Sequence, residues 1–143
     1  MNNIMLAVDG SECSLKAAHF LANLAQWYKE PPQIFIIHVD EMGTAAEGAR
    51  RRLGNETVEN YFNERAKIAL QPAEMLFQEK GVPYRTIYAG GDVASQIRAH
   101  ADECKADMIV MGSRGHGAVA GLLMGSVANK VLATTSLPVT IIR

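Results

Sequence analysis

Apolar runs of strand length alternate with helix-like stretches along this chain, and that alternation leaves few folds open to it. Ile4 to Val8 is apolar throughout, as are most of Ile34 to Val39 and most of Asp107 to Met111. A run that is apolar at every position suits a strand buried on both faces, the condition of a central parallel strand. Val82 to Tyr88 is a weaker, more polar run, and Leu137 to Ile142 is a fifth. Pro138 lacks an N–H and suits a strand start or an edge. Between the first two runs, Ala17, Ala18, Leu21, Leu24, Ala25 and Tyr28 recur at three- and four-residue spacing, which makes one apolar helix face. Glu30-Pro31-Pro32 ends that helix. Val93, Ala94, Ile97, Ala101 and Cys104 make another such face, and a further helix is expected from about Ser126 to Thr134. The order β-α-β-α-β-α-β-α-β predicts an α/β fold, a doubly wound parallel sheet with helices on both faces. A chain of 143 residues is the size of one domain, taken as residues 1–143.

Two stretches are harder to place. Asp40 to Gly54 contains Gly43, Gly48 and Gly54 among small residues and reads as a long loop carrying Arg50-Arg51-Arg52. That basic run is a solvated patch or a mobile lid over a phosphate site. Asn55 to Lys80 keeps helical period, but Pro72 falls inside it, so a kink or two abutting helices are expected. Gly81 suits the position just past that helix, and Gly90-Gly91-Asp92 reads as a turn whose Asp92 caps the next helix.

The functional signal lies after the fourth run. Met111-Gly112-Ser113-Arg114-Gly115-His116-Gly117 leads to Gly121 and Gly125-Ser126, so a glycine-rich loop joins a strand to a helix. Glycines there let backbone N–H groups approach a ligand, and a helix N-terminus behind them favours an anion, phosphate above all. Met108 to Arg143 holds no Asp or Glu. In such sheets ligands bind at the carboxyl ends of the strands, where the strand order reverses. With the first strand central, Asp9 is brought toward the glycine loop. Walker A fails, because no Gly-Lys-Ser/Thr closes the loop. Gly115 to Ala120 fits a loose Rossmann pattern but lacks the acidic residue that pattern needs. Asp9-Gly10-Ser11-Glu12 is not the loop of an ATP pyrophosphatase.

One pattern fits. Gly112-x-x-Gly115, nine residues, then Gly125-Ser126 resembles the phosphate and ribose signature of the universal stress protein family, in its ATP-binding branch. Val8-Asp9-Gly10-Ser11, His38-Val39, Asp107 to Gly115 and Ser136-Leu137-Pro138-Val139 are similar to that family's other landmarks, in the same order. The resemblance implies a five-stranded parallel sheet of order 3-2-1-4-5. It implies that Asp9 contacts the nucleotide, that Val39 meets adenine through its backbone, and that Met111 lies beside the base. It implies that Gly112, Arg114, Gly115, Gly125, Ser126 and Val127 hold ribose and phosphates through backbone N–H groups and the Ser126 hydroxyl. ATP is the implied ligand, with Mg²⁺ held mainly by phosphates and water. A homodimer through the last strand, Val139 to Ile142, is also implied. Ala7 replaces a proline common in the family, and Pro72 is unusual for it.

Other readings stand beside these. Asp9 or Ser126 can serve as a helix cap, with Ser11 or Ser14 as further candidates for the first helix. His38 reads as a hydrogen-bonded core residue, His116 as facing a phosphate or water, and His19 and His100 as helix-surface residues. The methionines read as core filler. Cys13 and Cys104 lack metal or CxxC spacing and read as reduced packing residues of a cytoplasmic protein. A net charge of −1 gives no field toward nucleic acid, and no apolar run approaches the roughly 18 residues of a membrane span. No signal peptide is expected. The phosphate cradle comes without a committed base, which favours a stress-response switch over an efficient enzyme. A slow ATPase or adenylyl-transferring enzyme and a nucleotide-independent dimeric interaction module are the rivals. A further protein partner stays open.

Overall fold

The computed structural model describes every residue of the chain except Gly43 and Ala118. Its elements are β1 (Asn3–Ala7), α1 (Glu12–Ala25), β2 (Gln33–Glu41), α2 (Thr44–Leu53), α3 (Asn55–Glu79), β3 (Tyr84–Gly91), α4 (Val93–Glu103), β4 (Met108–Gly112), α5 (Ser126–Thr134) and β5 (Val139–Ile142). The strands form one parallel sheet in the order β3-β2-β1-β4-β5. This is the expected doubly wound α/β sheet with β1 at its centre.

The alternation of side chains along β1 builds two cores. Ile4, Leu6 and Val8 face α1 and α3 and pack with Ala17, Ala18, Leu21, Leu70 and Phe77. Met5 and Ala7 face the opposite side, where Ile37, Ile97, Ile109, Met111 and Val131 pack under α4 and α5. Each layer buries the apolar stripe that the helices present, and neither helix pair could bury it alone.

The helix starts follow from local chemistry. Ser11 caps α1, its Oγ accepting from the Ser14 N–H at 3.3 Å. Asp92 caps α4, its Oδ1 accepting from the Ser95 N–H at 3.0 Å. Gly81 takes φ +63° just past α3, as its place after the helix predicts.

Three expectations are corrected. Asp40 to Gly54 is not a loop: β2 runs on to Glu41 and residues 44–53 form α2. Alanine, glutamate, arginine and leucine there are strong helix formers, and their summed preference outweighs Gly48. The break falls at Gly54, φ +86°, between α2 and α3. Gly43, counted in that expected loop, lies outside the described residues. Pro72 does not divide Asn55 to Lys80 into two abutting helices: α3 is one helix of 25 residues. The carbonyl that Pro72 leaves without a donor belongs to Ile68, which is 71% exposed, and Pro72 is exposed too. That carbonyl therefore faces water, and the lost bond costs less than it would in a core-facing turn. The expected turn at Gly90-Gly91 is instead the end of β3, paired in register with Asp40 and Glu41.

Candidate functional site

β1 and β4 are neighbours whose chains leave toward opposite faces of the sheet, β1 into α1 and β4 toward α5. Their carboxyl ends therefore open a crevice. A cavity of about 320 Å³ lies there. All nine residues named from the sequence stand on its lining: Asp9, Val39, Met111, Gly112, Arg114, Gly115, Gly125, Ser126 and Val127. They come from the ends of three strands, the glycine loop and the first turn of α5.

The β1–α1 turn and the glycine loop are stitched together. Asp9 Oδ1 accepts from the Ser11 N–H at 2.9 Å, and the Asp9 N–H donates to Ser14 Oγ at 3.4 Å. Asp9 Oδ2 sits against Gly115, in the space a Cβ would take. His116 Nε2 lies 2.9 Å from the Asp9 carbonyl oxygen, and Ser11 Oγ donates to the Arg114 carbonyl at 3.4 Å. The loop therefore closes on the turn at successive positions, and the half-buried Asp9 carboxylate is held in one orientation on the cavity lining.

The two ends of the cavity differ in chemistry. At one end stands α5, which has no side-chain cap. The N–H groups of Ser126, Val127 and Ala128 have no acceptor within the helix, and the helix start carries partial positive charge. Exposed Arg114 adds a full one. At the other end, Ala7, Ile37, Val39, Ile97 and Met111 make an apolar wall from the core beneath α4. Glu41 stands at its rim, at the end of β2.

Some residues have other duties than the sequence suggested. The Gly125 N–H is spent, donating to the Ser113 carbonyl at 2.7 Å, so it cannot also hold a phosphate. Gly125 rather than Ser126 is the N-cap, and Ser126 is the first helical residue. Gly112 is a packing position as well as a lining one. A Cβ there would lie 2.7 Å from the Cys13 carbonyl carbon and 2.9 Å from the Ser14 nitrogen. Ser113, given no role by the sequence pattern, is 1% exposed. Its N–H donates to the Ile142 carbonyl at 2.7 Å while its own carbonyl receives Gly125, so it ties β5 and α5 to one point. A serine inside a glycine-rich run carries no periodic signal that could have singled it out. Arg50, Arg51 and Arg52 occupy the last turn of α2, and none lines the cavity; Arg50 Nη2 reaches Met42 Sδ at 3.6 Å.

A second polar cluster lies on the other face of the sheet. His38 Nδ1 is 2.9 Å from the Val8 carbonyl oxygen, so His38 is the hydrogen-bonded core residue the sequence suggested. Its Nε2 and Arg65 Nε each lie 3.6 Å from Asp40 Oδ1. Tyr88 stacks parallel to His38 with ring centroids 6.4 Å apart. Burial, then the nearby Asp40 carboxylate, pushes the Tyr88 hydroxyl up to about 12 from an ordinary 10.0. A raised value in the folded state means the folded protein holds this proton longer than the unfolded chain. The resulting stability is complete below pH 10 and is lost as pH rises toward 12. Tyr88→Phe should therefore flatten that alkaline loss in urea melts taken across the window. At neutral pH the variant should cost less than about 1 kcal/mol, because the hydroxyl has no partner among the described residues. An unchanged alkaline limb would refute the assignment.

Comparison with known proteins identifies the family of the chain. The model of the universal stress protein family matches residues 1–143. The chain belongs to that family. Universal stress protein YxiE of Bacillus subtilis is 30% identical over 148 residues, covering 99% of each chain. Among solved structures, that of the hypothetical protein MJ0577 superposes with a TM-score of 0.82 at 23% identity, covering 99% of this chain and 94% of that one. A universal stress protein from Archaeoglobus fulgidus, solved in complex with dAMP, superposes with a TM-score of 0.69 at 23% identity, covering 100% and 98%. No helix among the described residues of this universal stress protein is long and apolar enough to cross a membrane.

Proposed function

We propose that this universal stress protein binds an adenine nucleotide, ATP in the first place, in the cavity at the ends of β1 and β4. The carrying observation is the division of one cavity into a donor-rich end and an apolar end, with an oriented carboxylate on the same lining. Phosphates belong at the start of α5, where the Ser126 and Val127 N–H groups, the Ser126 hydroxyl, Arg114 and the Gly115 loop meet them. A carboxylate beside phosphates needs a hydroxyl to accept from, and the ribose supplies one to Asp9. The base belongs against Val39 and Met111. Gly112 and Gly125 shape the cradle through packing and capping. The Archaeoglobus fulgidus universal stress protein of the same fold was solved in complex with dAMP, which supports an adenine nucleotide as the ligand class.

The described residues hold no group of three or more His, Cys, Asp or Glu side chains suited to a metal ion. In this reading Mg²⁺ enters with ATP and is held mainly by phosphates and water. In this reading residues 1–143 are one cytoplasmic regulatory domain, and nucleotide occupancy changes the order of the glycine loop. It dimerises through β5, an edge strand whose Val139 to Ile142 are all half-exposed. Titrating purified protein with ATP in a calorimeter tests the reading. Saturable heat and a rise in melting temperature are expected; neither at millimolar ATP would sink it. Light scattering that reports a monomer would remove the dimer.

A further inference from the structure

We infer that His116 is a phosphoryl acceptor, its Nδ1 taking the terminal phosphoryl group of a nucleoside triphosphate held in the cavity. The inference rests on the nucleotide-binding reading above and adds a covalent step to it. Its starting point is one hydrogen bond. His116 Nε2 lies 2.9 Å from the Asp9 carbonyl oxygen. A carbonyl only accepts, so Nε2 carries the hydrogen. A neutral imidazole has a single N–H, and the lone pair therefore sits on Nδ1. Among the described residues nothing is hydrogen-bonded to Nδ1, and the side chain is exposed on the cavity lining. Tautomer and ring position are thus set by the backbone of β1's exit turn, across a sequence separation of 107 residues.

This tautomer removes the need for the general base that the cradle lacks. Serine, threonine and water need a base to remove a proton as they attack phosphorus. Nδ1 in this tautomer has no proton to lose, so no base is required. The Nδ1–P bond forms as the bond from the terminal phosphorus to its bridging oxygen breaks. The nucleoside diphosphate leaves with that electron pair. Positive charge gained by the ring is shared with Nε2–H, whose bond to the Asp9 carbonyl becomes charge-assisted and strengthens. Arg114 and the α5 N–H groups line the same cavity and stabilise charge on the transferring group. The product is a phosphohistidine, a phosphoramidate that acid cleaves and alkali spares. Its later hydrolysis would appear as slow ATP turnover.

The test incubates the full chain with γ-labelled ATP and Mg²⁺ and measures ATP binding on the same preparation. Wild-type protein should take up label that is lost in acid and kept in alkali, and peptide mass spectrometry should find it on His116. His116→Gln keeps an N–H able to reach the Asp9 carbonyl but has no ring nitrogen to attack, so its label should fall to background. Should that variant lose ATP binding too, the mapped position in the wild type decides. ATP binding without label, label that survives acid, or label that persists in His116→Gln each overturns the inference and leaves nucleotide binding standing. An absence of ATP binding removes both.

Discussion

Gly112→Val should lower the unfolding free energy by about 2–3 kcal/mol, with the denaturant midpoint falling and the slope unchanged. The reason is where the first turn of α1 lies. A Cβ at residue 112 would stand 2.7 Å from the Cys13 carbonyl carbon, 2.8 Å from Cys13 Cβ and 2.9 Å from the Ser14 nitrogen. Real Cβ atoms do not approach backbone so closely, and no side-chain rotation relieves contact with a backbone atom. Either β4 or α1 must move. Moving α1 disturbs Ala17, Ala18 and Leu21, all 0% exposed, and strains the Ser11 cap. Moving β4 disturbs its register with β1 and β5. Small glycine cross-sections thus bring helix and strand together where the crevice needs its floor. Urea melts of both proteins decide it: a change within about 0.5 kcal/mol, the scatter of ordinary surface substitutions, would mean that α1 is free to yield.

The parts of this architecture legible in the sequence are those governed by long-range burial. Ile4 to Val8 had to be central because no face of it could meet water, and a central first strand sets where the crevice opens. Asp9 and the glycine loop then meet through topology, although 105 positions separate Asp9 from Arg114. What stayed hidden was decided by single contacts. Gly48 and Gly54 look alike as loop signals, yet only Gly54 takes the positive φ that breaks a helix. Pro72 looks like a breaker until the exposure of Ile68 shows where the freed carbonyl points. Gly112, Gly115 and Gly125 look like three copies of one phosphate-binding residue. The structure divides them: one floors the crevice, one makes room for Asp9, and one spends its N–H on Ser113. Glycine spacing records that backbone must come close to something, and the three-dimensional packing decides what that something is.

That division leads to the second large effect. Gly115→Ala should weaken ATP binding roughly 10- to 100-fold, about 1.4–2.7 kcal/mol, while costing the fold less than about 1 kcal/mol. The added Cβ would collide with Asp9 Oδ2, the far end of a side chain rather than backbone. Gly115 is not among the glycines with positive φ, so alanine strains nothing locally. Relief comes from turning the carboxylate away. That breaks its bond with the Ser11 N–H and carries Asp9 off the orientation in which it would accept from a ribose hydroxyl. The loss is felt on binding, because the free protein can hydrate the displaced carboxylate and the complex cannot. Calorimetry with ATP and urea melts on the same variant separate the two quantities. Wild-type affinity in Gly115→Ala would show that Asp9 is not part of the nucleotide site. A collapse of stability would show instead that Asp9 is anchored too firmly to turn, and that the two glycines share one structural duty.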